Sequence, residues 1–158
     1  MSMEITRCIM SRDLTFSTEE ENKIKSIIEE IKTRMIKTKT IKIVLEYNGG
    51  GGNSNLLSFS LTDQYGRTET LDHEKAHSLL NRAVDTSNQK FLKSLWELVH
   101  ILHFGFYRDD GGYGILTVSL PLPTSEELSL KLDATDHLDS VFEPEEGEDA
   151  PFRIEMSV

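Results

Sequence analysis

"TIKIVLEYNGGGGNSNLLSFSLTD", residues 40–63, is where the fold is decided. Ile41, Ile43, Leu45 and Tyr47 alternate against Lys42 and Glu46, the two-residue period of a strand with one face buried. Gly49 to Gly52 interrupt the pattern, and Leu57, Phe59 and Leu61 resume it. Two such runs around a glycine-rich loop form a hairpin, with a loop longer than a tight turn needs. Tyr65-Gly66 marks a second turn, and "RTETL", residues 67–71, supplies a short third strand.

Outward from this hairpin the period changes. "STEEENKIKSIIEEIKTRMIK", residues 17–37, opens with Ser17 and Glu20 in capping-box spacing. It then repeats Ile24, Ile27, Ile28, Ile31 and Met35 as one apolar helical stripe. On the other side, Asp72 is the expected N-cap of a helix through Val84. Ser87 or Asn88 is the expected cap of another from Gln89 to His103, whose stripe is Leu92, Leu95, Trp96, Val99 and Leu102. After the turn "RDDGGYG", residues 108–114, "ILTVSLPL" and "ELSLKLDA" read as a strand and its hairpin partner. The order α-β-β-α-α-β-β predicts an α+β fold: three helices on a mainly antiparallel sheet of four or five strands. Residues 1–135 form the expected single domain, and 136–158 an acidic, weakly structured tail.

The chain has 158 residues and a formal net charge of −10. So acidic a surface repels phosphate backbones, and no direct binding of nucleic acid is expected. It suits solubility, a basic protein partner or imitation of nucleic acid. With Cys8 as its single cysteine, the chain has neither an internal disulfide nor a thiolate metal site. "MSMEITRCIM" lacks the basic and apolar regions of a secretory leader, and no apolar run approaches a bilayer span, so a cytoplasmic setting without membrane contact is expected.

One stretch names a reaction. "LDHEKAHSLL", residues 71–80, contains His73-Glu74-Lys75-Ala76-His77, the H-E-x-x-H pattern of zinc peptidases. On a helix, His73 and His77 share a face and can ligate one metal, with Glu74 as base on the bound water. A third ligand is required. Glu97 lies 20 residues beyond His77, a separation resembling thermolysin-like peptidases, but its helical phase turns it away from the apolar stripe. His103 is the better placed candidate. Asp72 stands where such peptidases carry an apolar residue, and short motifs recur by chance.

Tyr47-Asn48-Gly49 with Gly52-Asn53-Ser54-Asn55, and then "LHFGFYRDDGGYGILTVSL", residues 102–120, form a second constellation. Glycine runs allow close backbone approach and anion-binding nests, although no phosphate-loop signature follows either run. Asp109 and Asp110 offer oxygens to a cation but fall short of a calcium loop. This constellation resembles a bacterial and phage-borne domain family of unknown function, over residues 25 to 135. Its marks are a Tyr-x-Gly strand end, a Gly-Asp-Ser-Gly loop and an Asp-Gly-x-x-Gly turn. Asn53 replaces the family's aspartate and Asn55 its glycine. The resemblance implies the fold and a mobile-element setting, and no activity.

Three functions follow as expectations. The first is a non-catalytic acidic interaction or regulatory protein without cofactor, such as an accessory or anti-defence factor of a phage or mobile element. Its binding residues would be Tyr47, Asn48, Asn53, Asp109, Asp110 and Tyr113. The alternative is a small zinc-dependent hydrolase using Glu74 with His73, His77 and His103. The third is a small-ligand or cation sensor where the glycine turns meet.

Overall fold

The computed structural model describes residues 4–9, 16–81, 86–108, 111–121, 127–137 and 149–157. Among the described residues seven strands form one antiparallel sheet, and three helices cover one of its faces. The strands are β1 (Glu4–Ile9), β2 (Thr40–Gly50), β3 (Asn53–Asp63), β4 (Thr68–Leu71), β5 (Gly112–Ser119), β6 (Ser129–His137) and β7 (Asp149–Ser157). The helices are α1 (Thr18–Thr38), α2 (His73–Asn81) and α3 (Ser87–Leu102). Sheet order is β1-β7-β6-β5-β2-β3-β4, so two meanders, β2-β3-β4 and β5-β6-β7, join through the β2–β5 pair. The fold is α+β, as the residue periods predict, with more strands than expected.

Local chemistry sets the helices. The Ser17 side chain accepts from the Glu20 amide at 3.1 Å, and Glu20 accepts from the Ser17 amide at 3.0 Å. This reciprocal pair satisfies two amides that α1 itself leaves unpaired. Ile24, Ile27, Ile28, Ile31 and Met35 are buried, as their spacing requires. In α3 the cap is Thr86, not Ser87 or Asn88: its hydroxyl accepts from the Gln89 amide at 3.2 Å. The stripe of α3 is also wider than expected, since Phe91 and Leu98 join Leu92, Leu95, Val99 and Leu102 in the core. The described part of α2 ends at Asn81, so its expected extension to Val84 lies outside the described residues.

Three expectations are corrected. The first strand, β1, was not foreseen, and it pairs along β7. Nor are residues 136–158 a loose tail throughout. Asp136 and His137 end β6, and 149–157 form β7, inserted between β6 and β1 with Phe152, Ile154 and Met156 buried. Residues 138–148 lie outside the described residues. Finally, Leu57 does not share a face with Phe59. Glu46 opposes Ser58 while Tyr47 opposes Leu56, so β3 holds one extra residue there, a β-bulge. The bulge turns Leu56 into the core and Leu57 outward, where it is 37% exposed.

Among the described residues the second sheet face carries no helix. Its β6–β7 portion is charged and internally neutralised: Asp133 meets Arg153 at 2.6 Å and Lys131 at 3.6 Å, and Glu155 meets Arg153 at 3.7 Å. Among the described residues no helix is long and apolar enough to cross a membrane.

Candidate functional site

The two histidines of the H-E-x-x-H stretch serve a backbone. β4 ends at Leu71, paired with Phe59, so the N-terminal half of β3 continues past its neighbour. The first turns of α2 fill that place. His73 donates from Nδ1 to the Leu56 carbonyl at 2.8 Å, and His77 accepts from the Leu56 amide on Nε2 at 3.1 Å. Together the imidazoles satisfy the donor and acceptor that a further strand would have satisfied. Accepting from an amide requires a lone pair on Nε2, which fixes His77 as neutral with its proton on Nδ1. Burial, and then the neighbouring His73, hold its pKa below the ordinary value of 6.5.

This donor set does not fit a zinc site. The two rings meet edge to face, centroids 4.5 Å apart, each with a nitrogen committed to Leu56. Glu97 lies on the exposed side of α3, in an ion pair with Lys23 of α1 at 2.9 Å. His103 is fully buried and held elsewhere. Among the described residues no three histidine, cysteine, aspartate or glutamate side chains converge as a metal site. Glu74 is exposed beside a broad surface groove with Leu71 and Leu79.

The two glycine turns do meet. The Gly52 amide donates to the Tyr107 carbonyl at 2.8 Å, and Gly49 pairs with Gly112 across β2 and β5. Beneath them runs a buried relay. The Tyr47 hydroxyl lies 2.6 Å from His103 Nδ1, and His103 Nε2 lies 2.7 Å from Asp136 Oδ1. The Asp136 carboxylate accepts from Nε2–H, and the protonation of the ring sets which of Nδ1 and the tyrosine hydroxyl donates to the other. β5 makes room for these rings by lacking side chains. A Cβ on Gly112 would lie 2.7 Å from the Thr135 carbonyl and 3.0 Å from the His103 ring, and one on Gly114 would overlap the Tyr47 hydroxyl. Tyr47 is 1% exposed and His103 0%, so their side chains tie β2, α3 and β6 together away from solvent.

Accessible chemistry lies on the opposite face at the same end of the sheet. There Leu57, Tyr113 (42% exposed) and Ile115 (41% exposed) border a shallow recess of about 470 Å³, with Glu46, Asn48 and Asn55. Strand register builds it: Asn48 opposes both Tyr113 and Asn55, and Glu46 opposes Ile115. Asn55 donates its amide to the Asn48 side chain at 3.1 Å.

Of the binding residues expected from sequence, Tyr47, Asn48 and Tyr113 line this recess. The Tyr47 side chain is buried in the core, and Asn53 is exposed at the tip of the β2–β3 hairpin. Asp109 and Asp110 lie outside the described residues. Sequence reasoning missed Glu46, Leu57, Ile115 and Asp136. Ile115 carried a signal: it has the opposite parity to Leu116, Val118 and Leu120, which one buried strand face cannot accommodate. Leu57 carried none, because a bulge shifts parity without marking the sequence.

No family model and no curated protein matches the chain. A solved structure of the V. cholerae biofilm matrix protein Bap1 aligns with 75% of this chain and 14% of that one, at 9% identity and a TM-score of 0.25. At that score the likeness carries no argument about fold or role.

Proposed function

We propose that this is a non-catalytic interaction protein, which docks a protein partner on the open sheet face around Tyr113. The observation that supports the reading most is the company of three half-exposed apolar side chains, Leu57 of β3 and Tyr113 and Ile115 of β5, the two strands that flank β2. A tyrosine flanked by aliphatic groups and rimmed by amides has the composition of an interface anchor. The charges on β6 and β7 are spent on one another, so they form a rim and leave this recess as the patch worth desolvating. The chain's charge of −10 favours a basic partner and opposes nucleic acid. A setting as an accessory or anti-defence factor of a mobile element rests on the resemblance of residues 47–55 and 102–120 alone.

Site-specific photo-crosslinking in native cells tests the reading. A photoreactive residue replacing Tyr113 should give a discrete protein adduct, and one replacing the exposed Glu29 on α1 should not. Adducts from position 29 alone would place the docking surface on the helical side and overturn the proposal.

A further inference from the structure

We propose that the recess between Leu57, Tyr113 and Ile115 receives an arginine side chain of a basic protein partner; this rests on the docking reading above and gives it a chemistry. Glu46 carries the argument. It stands on the open face, partly buried, opposite Ile115 and beside the bulge that presents Leu57. Several exposed carboxylates, Glu29, Glu69 and Glu74 among them, also lack a cation among the described residues, but the other partly buried ones have partners: Asp63 meets Arg67, Asp133 meets Arg153 and Asp136 meets His103. Among the described residues no cation pairs with Glu46. A carboxylate partly withdrawn from water and walled by apolar groups gains more from a cation than a solvated one does.

The walls suit arginine rather than lysine. A guanidinium is planar, stacks on an aromatic face and can bind a carboxylate through two parallel hydrogen bonds, while its methylene stem rests on aliphatic surface. Tyr113 supplies the aromatic face, Leu57 and Ile115 the aliphatic surface, and Glu46 the carboxylate. The Asn48–Asn55 amide pair borders the recess on the hairpin side with polar groups of no net charge. A second copy of this chain is the poorer occupant, since it would bring another Glu46 and another net −10 to the same place.

The test is a two-dimensional amide NMR titration of the full chain with N-acetyl-arginine methylamide, beside the blocked citrulline and norleucine analogues. The arginine probe should saturate with a dissociation constant on the order of 1 mM, as befits a fragment of that size. Its shifts should centre on Glu46, Asn48, Leu57, Tyr113 and Ile115. Citrulline, isosteric but uncharged, should bind about tenfold more weakly, and Glu46→Gln should lose the same factor for arginine without a change in melting temperature. Equal binding of citrulline, or indifference to Glu46→Gln, overturns the inference. Saturation at these residues by norleucine alone overturns the arginine assignment but spares the docking surface. Failure of every probe, together with no adduct from position 113, removes both.

Discussion

His77 holds the Leu56 amide only while its Nε2 keeps a lone pair. Its folded-state pKa is depressed by burial and by His73, so the native state favours the neutral ring. A histidine whose folded pKa is lowered adds stability that is present above its ordinary pKa and lost as pH falls through the folded value. Between about pH 7.5 and 5.5, where histidines dominate titration, the melting temperature of the native chain should fall more steeply than that of His77→Gln. Parallel pH profiles for the two would show that His77 does not couple to folding. The same residues show the limit of the sequence. Four-residue spacing places two imidazoles on one helix face, which suits a metal ion and also suits the two polar groups of one peptide residue. Only the end of β4 at Leu71, with the bulge at Leu57, decides between them.

At the scale of elements, periodicity located every helix and five of the strands, while details that depend on a neighbour escaped it. Thr86 outcompetes Ser87 and Asn88 as a cap because it stands where the chain is still extended, at φ −89° and ψ 160°. The bulge in β3 has the sharper consequence, since it reverses the roles of adjacent leucines. Leu56→Ala should cost about 2–5 kcal/mol in urea unfolding, as a buried leucine does, and Leu57→Ala no more than about 0.5 kcal/mol. Equal losses at the two positions would refute the register Glu46–Ser58 and Tyr47–Leu56. The strand β7 was missed for a different reason. Phe152, Ile154 and Met156 alternate with Arg153 and Glu155 in plain strand fashion, but the acidic run 143–149 directs attention to disorder just before them.

For the whole molecule, the sheet is two meanders sharing one hydrophobic layer, and β7 is internal to it, between β6 and β1. Truncation after residue 148 therefore removes Phe152, Ile154 and Met156 from the core and leaves β1 without its partner. The truncated chain should lose cooperative thermal unfolding by circular dichroism. A native-like melt would mean that 149–157 are dispensable. The α+β class follows from the residue periods, but the order of strands does not, because it depends on β1 and β7 closing the far edge. Among the described residues the helices cover one face, and on the other the most exposed large apolar side chains, Leu57, Tyr113 and Ile115, gather at one end beside paired charges. The most direct test of this account is the affinity of the partner crosslinked through position 113, measured for the native chain, for Leu57→Ser with Tyr113→Ala, and for Glu74→Gln. The double variant should lose about tenfold or more in affinity, and Glu74→Gln should bind as the native chain does. Undiminished binding by the double variant, with loss in Glu74→Gln, would contradict docking at Tyr113 and move the functional surface to α2.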